Sequence, residues 1–237
     1  MQKPHSLLKV EDVVSYIGPY TILHGASVDI KQGEAVVILG RNGAGKTTLL
    51  KTIVGLVNTR SGSITFDGKS IVGMPTYDII KEGIALVPED YGTFNMLTVE
   101  ENLRLAMLKE DGESKDRLDY VLDLFPDLKI AYKRLSKTLS GGQRQMLSIG
   151  RSLVNENKAI LIDEPSKGLA PVVIERVALA LQEIKKHTTV VLVEQNFALA
   201  SAVGERYYIV SEGQTVANGQ VEDLVKDKEL QAAHLGI

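Results

Sequence analysis

The chain has 237 residues, 44% of them hydrophobic and 24% charged, and its 27 basic and 30 acidic residues give a formal net charge of -3. This balance is typical of a globular protein with a sizeable apolar core, and it provides no excess of Lys and Arg for tracking nucleic-acid phosphates. The absence of cysteine from the sequence excludes disulfides and thiolate metal sites.

The apolar segments of the chain are short. Residues 1–10 lack the basic and then apolar layout of a secretory signal. The longest apolar runs, such as 35–39 and 190–193, are far below the roughly 20 residues that span a bilayer. We therefore expect the chain to stay in the cytoplasm and to take any membrane role through partner proteins.

Strand-like segments are of two kinds. Residues 27–30 and 63–68 alternate polar with apolar side chains, which predicts half-exposed antiparallel strands near the N-terminus. The other segments are continuous apolar runs, as in parallel strands covered on both faces. These runs are residues 35–39, 84–87, 159–162 and 189–193. Together the two kinds predict an α/β fold with a core of mainly parallel strands and an N-terminal antiparallel β-subdomain.

Helix signals replace strand signals between residue 98 and about residue 154. Thr98, with Glu101 three residues later, forms a capping-box pattern that opens a helix. Another amphipathic helix carries Leu118 and Phe125 and should stop at Pro126. We expect a single domain over residues 1–237, with a helical lobe at approximately 93–155 inserted into the α/β core.

The last predicted elements of the sequence are a hairpin and a helix. Residues 207–211 and 214–217 flank Glu212 and Gly213, a pair suited to a tight hairpin turn. An amphipathic pattern around residues 221–235 then predicts a terminal helix.

A P-loop pattern directly follows the apolar run 35–39 and precedes a helical run at 49–57. Its glycines let backbone N–H groups converge on phosphate oxygens, and the helix N-terminus adds its positive end. Lys46 would reach the β- and γ-phosphates of ATP, and Thr47 would ligate Mg²⁺. A Gly-rich loop that merely turns the chain is the alternative, which the strand, loop and helix order disfavours. The predicted nucleotide-binding residues are Gly40, Arg41, Asn42, Gly43, Ala44, Gly45, Lys46, Thr47 and Thr48.

The apolar run 159–162 ends in two carboxylates, Asp163 and Glu164. Because adjacent side chains of a strand point to opposite sides, we expect the two acids to have different roles. Asp163 would hold Mg²⁺ through its water shell, and Glu164 would orient and polarise the attacking water. Such a pair can also be a solvated strand end, but a P-loop on the same sheet favours the catalytic interpretation.

A Gly-rich segment from Leu139 to Gln143 lies between these two motifs. Ser140 can cap the following helix, and Gly141 and Gly142 leave backbone N–H groups bare for a phosphate. The segment resembles the signature sequence of ABC ATPases, and the resemblance extends over nearly the whole chain. Smaller family features occur in order: the Q-loop at residues 87–89, the D-loop at 166–171 and the switch at 194–196.

The resemblance implies a second phosphate site. In the family, the segment corresponding to Ser140, Gly141, Gly142 and Gln143 meets the γ-phosphate of ATP bound to another subunit. Two chains then stack head to tail with two ATP molecules between them, and hydrolysis lets them part.

By the same correspondence, Gln195 at the switch is a candidate catalytic residue and Glu89 of the Q-loop a candidate metal ligand. Both depart from the family pattern, which usually has His at the switch and Gln in the Q-loop. Gln195 can donate a hydrogen bond but cannot carry a proton near neutral pH. The D-loop has Ala170 in place of the usual Asp, and Lys167 stands where an apolar residue is common in the subgroup resembled below.

The aromatic ring that stacks on adenine in the family is harder to locate. The family's Tyr usually precedes a Gly directly, whereas Ile17 precedes Gly18 here. Tyr16 or Tyr20 could supply the ring, and Tyr16 is our candidate, although tyrosines on strands commonly only pack against a sheet.

Four segments resemble the subgroup that serves importers of branched-chain amino acids and related amides or urea: residues 87–89, 97–103, 168–171 and 193–196. The resemblance implies an ATP-hydrolysing importer subunit with ATP and Mg²⁺ as cofactors. It would couple dimer closure to uptake through separate permease subunits, at the inner face of the cell membrane.

The implied partners are a second ATPase subunit, the permeases, and indirectly an extracytoplasmic binding protein. Nucleic acid is not among them. A heterodimer of the two ATPase subunits is preferred, and a homodimer is the alternative. The alternative from another class is a soluble ABC ATPase that serves macromolecular or iron–sulfur cluster assembly, because it would share all the ATP chemistry.

Overall fold

Ten strands lie within residues 6–109 and 111–237, the part of the chain that the computed structural model describes. Residues 1–5, half of the segment considered above for a secretory signal, lie outside this part. The strands are β1 (Ser6–Ile17), β2 (Tyr20–Lys31), β3 (Ala35–Leu39), β4 (Thr59–Phe66), β5 (Lys69–Ser70), β6 (Ile84–Val87), β7 (Ala159–Asp163), β8 (Thr189–Val193), β9 (Arg206–Ser211) and β10 (Gln214–Gln220).

The strands form two sheets. The smaller is antiparallel, with the order β2-β1-β4-β5. The larger has the order β10-β9-β3-β8-β7-β6, in which only the pairing of β10 with β9 is antiparallel. The predicted α/β fold, with mainly parallel strands and an N-terminal antiparallel sheet, is confirmed.

Helices occupy most of the remaining described chain, and four of them fall between β6 and β7. None of the helices in the described ranges combines the length and apolar character needed to cross a membrane. They are α1 (Lys46–Ile53), α2 (Thr76–Lys81), α3 (Val99–Ala106), α4 (Gly112–Leu124), α5 (Pro126–Ile130), α6 (Gly141–Leu153), α7 (Pro171–Ile184), α8 (Phe197–Val203), α9 (Val221–Lys226) and α10 (Lys228–His234).

Burial on both faces of the large sheet explains the continuous apolar runs. In β3, Ala35, Val37 and Leu39 face a core shared with α3, α4, α6, α7 and α8. Val36 and Ile38 face a second core, shared with α1 and the antiparallel sheet. A strand that serves two cores cannot alternate with polar residues, so its sequence is apolar throughout.

Two helix boundaries follow local signals as predicted. Thr98 caps α3, with its hydroxyl accepting from the Glu101 N–H while the Glu101 carboxylate accepts from the Thr98 N–H. Helix α4 ends just before Pro126, which begins α5. Proline suits a first helical position because no intrahelical partner is available there for an N–H.

Two other helices differ from their predicted extents. Helix α1 ends at Ile53 rather than continuing to residue 57, and Gly55 takes a left-handed φ of 74°. The single terminal helix expected around 221–235 is two helices that meet at Asp227. The Asp227 backbone is non-helical, and its carboxylate accepts from the Leu230 N–H, so this residue starts a new helix instead of continuing the old one.

Candidate nucleotide site

The carboxyl ends of neighbouring parallel strands share one edge of the large sheet. Four segments therefore meet there: the P-loop after β3, the Q-loop after β6, the acidic pair at the end of β7, and the switch after β8. A cavity of about 350 Å³ lies at this edge. It is lined by Ile22, residues 42–48, Glu89, Glu164 and Lys167.

The P-loop passes very close to strand β9. A Cβ on Gly40 would lie 2.2 Å from the carbonyl oxygen of Val210, so only glycine fits at this position. Lys46 is buried, and its ammonium donates to the carbonyl oxygens of Gly40 at 2.9 Å and Arg41 at 3.1 Å. The loop thus folds around its own lysine, at the start of helix α1, where backbone N–H groups attract anions.

Thr47 and Asp163 lie together as predicted from their separate motifs. The Thr47 hydroxyl donates to Asp163 Oδ1 at 3.0 Å. Burial raises the pKa of Asp163 to about 6, while the hydrogen bond from Thr47 opposes this shift and the charges of Glu164 and Glu89 add to it. Oxygen donors of this kind match the hard ligands that Mg²⁺ prefers. No three His, Cys, Asp or Glu side chains of residues 6–109 and 111–237 form a group that could hold a metal ion.

Glu164 faces the same site as Asp163, which differs from the expectation based on strand alternation. Strand β7 ends at Asp163, and Glu164 has a left-handed φ of 44° that redirects its side chain. Its Oε1 accepts from Gln195 Nε2 at 2.6 Å and lies 3.5 Å from Lys46 Nζ. Alternation along a strand applies only to extended backbone, so the two acids differ in their partners rather than in the side to which they point.

Gln195 connects the switch to the P-loop. Its Nε2 donates to Asn42 Oδ1 as well as to Glu164 Oε1. The structure therefore brings both predicted catalytic side chains into contact with each other and with predicted nucleotide-binding residues. The catalytic roles of Glu164 and Gln195 stay predictions.

Glu194 is an important residue that the sequence did not single out. Its buried carboxylate accepts from the backbone N–H and hydroxyl of Ser166 and from the N–H groups of Gln195 and Asn196, at 2.9–3.0 Å. Burial raises the pKa of Glu194 above its ordinary value, and these hydrogen bonds offset only part of that rise. One carboxylate thus joins the switch to the D-loop, and the signal for it was an acid directly after an apolar strand, as at Asp163.

The signature segment opens helix α6 as predicted. Ser140 caps the helix by accepting from the Gln143 N–H, and the Gln143 side chain accepts in return from the Ser140 N–H. The glycines differ in their surroundings, because a Cβ on Gly142 would lie 2.5 Å from Val173, whereas Gly141 has ordinary clearance. Residues 140–143 do not line the cavity beside the P-loop.

The Q-loop lies against helix α6. Arg144 is positioned over the ring of Tyr91, 5.5 Å from its centroid. About two turns further along the helix, Arg151 lies over the ring of Phe94 and donates to the carbonyl oxygen of Gly92. Two arginines of the signature helix therefore hold the segment that follows Glu89.

Glu89 itself contacts Lys167 and not the Thr47–Asp163 pair. The carboxylate of Glu89 accepts from the ammonium of Lys167 in an ion pair between the Q-loop and the D-loop. Glu89, which departs from the family pattern, thus pairs with Lys167, which departs from the pattern of the subgroup. The assignment of Glu89 as a metal ligand stays a prediction.

Tyr16 stands apart from the P-loop cavity. Its ring packs under the guanidinium of Arg60, 4.9 Å from the ring centroid, and Tyr16 is not among the cavity-lining residues. From the same antiparallel sheet, Ile22 lines the cavity instead. Tyr16 remains our candidate for stacking on adenine.

Comparisons with known proteins agree with this geometry. The family model described as ABC transporter matches residues 23–167. The branched-chain amino acid transport ATP-binding protein BraG of Pseudomonas aeruginosa is 40% identical over 97% of this chain and 100% of its own length. LivF of Archaeoglobus fulgidus, described as a probable protein of that kind, is 37% identical over 91% of this chain and 93% of its own.

A more distant relative has a different output. LptB of Escherichia coli, the ATP-binding protein of a lipopolysaccharide export system, is 31% identical over 91% of each chain. Among solved structures, a dimeric ATP-binding cassette bound to ADP and phosphate is 26% identical, with a TM-score of 0.80 over 91% of this chain and 99% of that one. The family match covers more than half of the sequence, and the P-loop, the Q-loop, the acidic pair and the switch converge at one sheet edge. This chain belongs to the ABC transporter family, as an ATP-hydrolysing subunit.

Proposed function

We propose that the chain drives an importer of branched-chain amino acids or a related amino acid or amide. The observation that carries this proposal is the 40% identity to BraG over nearly the full length of both chains. Identity to the lipopolysaccharide exporter subunit is lower, at 31%. The segments 87–89 and 193–196, which resemble the amino-acid importer subgroup, also favour import.

ATP would bind with its phosphates on the P-loop and with Mg²⁺ beside Thr47 and Asp163. The hydroxyl and the buried carboxylate lie 3.0 Å apart, close enough to contact one ion directly or through its water shell. When bound, the ion would neutralise phosphate charge and polarise the γ-phosphate. Lys46 would turn from its carbonyl partners to the phosphate oxygens.

The attacking water would be oriented by Glu164. Its Oε1 already accepts from Gln195, so the amide of Gln195 would fix the position of the carboxylate and donate to the γ-phosphate region. Because an amide cannot carry a proton near neutral pH, the base role falls to Glu164. Oriented general-base assistance of this type typically contributes 10² to 10⁴ in rate.

Closure of the site around bound ATP would need a second ATPase subunit, preferably a non-identical one. The capping box leaves the Ser140 hydroxyl hydrogen free, because its oxygen acts as an acceptor toward Gln143. The exposed N-terminus of α6 can therefore offer N–H and O–H donors to a phosphate held by the partner. Permeases would place the assembly at the inner face of the membrane.

We infer, too, that residues 1–237 form one domain in which residues at approximately 93–155 are an inserted lobe.

Uptake and co-purification test the proposal together. In a strain of the source organism that lacks the chain, the wild-type gene should restore uptake of radiolabelled leucine, and a Lys46→Ala gene should not. The tagged wild-type protein should be recovered from detergent-solubilised membranes with integral membrane proteins and a second ATPase. Uptake of an unrelated sugar serves as the control for membrane integrity.

Three outcomes would contradict the importer. Recovery without any integral membrane protein would favour the assembly ATPase. Normal leucine uptake in the deletion strain would exclude this cargo class, and impaired export of an envelope lipid would instead support a role like that of LptB.

A further inference from the structure

The Glu89–Lys167 pair lies at the rim of the phosphate cavity. Both residues line that cavity together with the P-loop and Glu164. They come from different loops, and the ion pair between them joins the Q-loop to the D-loop. The side chains are partly open to solvent, with exposures of 37% for Glu89 and 60% for Lys167, so the pair itself adds little to the stability of the fold.

Charge at this rim is unbalanced without Lys167. Two carboxylates, those of Glu89 and Glu164, line the cavity, and a third, that of Asp163, contacts Thr47 of the cavity wall. The pKa of Lys167 is raised first by its hydrogen bond to Glu89 and by the charge of that residue, and to a smaller degree by the charges of Glu164 and Asp163. Lys167 therefore interacts with all three acids, whereas Lys46 contacts only Glu164 among them.

We propose that Lys167 is a nucleotide-affinity residue, whose ammonium neutralises Glu89 so that the cavity can admit the polyanionic triphosphate of ATP. The inference rests on nucleotide binding at the P-loop but not on the importer role or its cargo.

Charge neutralisation and simple loop attachment make different predictions for how removal of the Glu89 charge changes ATP binding. If the pair only holds the two loops together, neither substitution can strengthen ATP binding, because Lys167→Met loses the contact and Glu89→Gln keeps it only as a neutral hydrogen bond. If the pair balances charge, removing the Lys leaves an extra negative charge and weakens ATP binding. Removing the Glu charge leaves an extra positive charge and strengthens it, and the double substitution restores the balance.

Isothermal titration of the purified protein with ATP tests the proposal. The buffer contains EDTA, so that no metal ion screens the carboxylates, and about 50 mM salt, where surface charges are weakly screened. Lys167→Met should weaken ATP binding by about three- to tenfold, the effect of one partly exposed charge near an anion. Glu89→Gln should strengthen binding, and Lys167→Met with Glu89→Gln should return within about twofold of the wild type.

Lys158→Met is the matched control. Lys158 forms a similar exposed ion pair with Asp67, but it precedes strand β7, whereas Lys167 follows that strand. The five residues of β7 alone separate the two ends by roughly 16 Å, more than a Debye length of about 14 Å at 50 mM salt. Its substitution changes the net charge equally and should leave ATP affinity unchanged.

Each result decides between the alternatives. Unchanged ATP affinity in Lys167→Met would overturn the proposal, as would unchanged or weakened affinity in Glu89→Gln, which would identify a mechanical role. An equal effect of Lys158→Met would show that only net charge matters and would also overturn it. If wild-type protein did not bind ATP either in EDTA or with added Mg²⁺, the P-loop assignment itself would fail, whereas failure of leucine uptake alone would leave this inference intact.

Discussion

Replacing Asp163 by Asn should stabilise the protein in the absence of metal and nucleotide. Asp163 is only 2% exposed, and burial raises its pKa to about 6, against an ordinary value of about 3.9 for an unfolded chain. A difference of about two pKa units corresponds to about 3 kcal/mol of unfavourable free energy in the folded state once both states are ionised. Asn is similar in shape and can still accept from Thr47, so we expect a gain of about 1–3 kcal/mol at pH 7.5.

The gain must depend on pH with a definite sign. Between about pH 4 and pH 6 the folded protein binds more protons at Asp163 than the unfolded chain does, so the wild type loses stability as the pH rises through this window. Above the folded pKa the loss is complete and constant. The advantage of Asp163→Asn should therefore be about half as large at pH 5 as at pH 7.5, and it should vanish below about pH 4.

Urea unfolding in EDTA, followed by circular dichroism at pH 5, 6 and 7.5, measures this difference. Asp123→Asn is the control, because Asp123 is 74% exposed, and a surface change of this kind should stay within about 0.5 kcal/mol. The reasoning is refuted if Asp163→Asn is no more stable than the wild type at pH 7.5, or if its advantage is the same at pH 5.

Three further substitutions test the site and its support. Glu164→Gln should lower turnover by about 10² to 10⁴ while ATP still binds, because a general base acts mainly on the reaction rate. Phosphate release measures turnover, and equilibrium binding measures ATP affinity. Near-normal turnover would contradict the role of Glu164 as the base. Lys46→Ala should lose MgATP binding but keep its circular dichroism spectrum, and undiminished binding would remove Lys46 from the phosphate site. Gly142→Ala should destabilise the protein by about 1–3 kcal/mol, because the new methyl group would lie 2.5 Å from Val173. An unchanged urea midpoint for Gly142→Ala would disprove this close packing, and Val173→Ala should recover part of the loss.

Features set by local sequence were the most predictable. The runs 84–87 and 189–193 match β6 and β8 because strands buried on both faces are apolar at nearly every position, with Thr189 as the exception. The caps at Thr98 and Ser140 form within four residues of chain, so a short pattern specifies them fully. The hairpin turn at residues 212–213 has two positive φ angles, of which Gly213 adopts one without a steric cost.

Features that depend on contacts between distant loops were not predictable in the same way. The direction of Glu164 follows from a left-handed backbone at the end of β7, which no local pattern announces. The roles of Glu194 and Lys167 arise from partners 28 and 78 residues away, and only the strand order brings those partners together. The break at Asp227 was missed because the amphipathic pattern continues across it, although the Asp itself is a good N-cap.

The order of the large sheet has a consequence for synthesis on the ribosome. Strand β3, which carries the P-loop, lies between β8 and β9, both of which are translated after Thr189. For most of translation, this apolar strand has neither of its hydrogen-bonded neighbours. The nascent chain would need to shield the strand from water until the last fifth of the chain has left the ribosome. The phosphate site is therefore completed only at the end of folding, and ATP would act as a ligand that traps the finished chain and not its precursors.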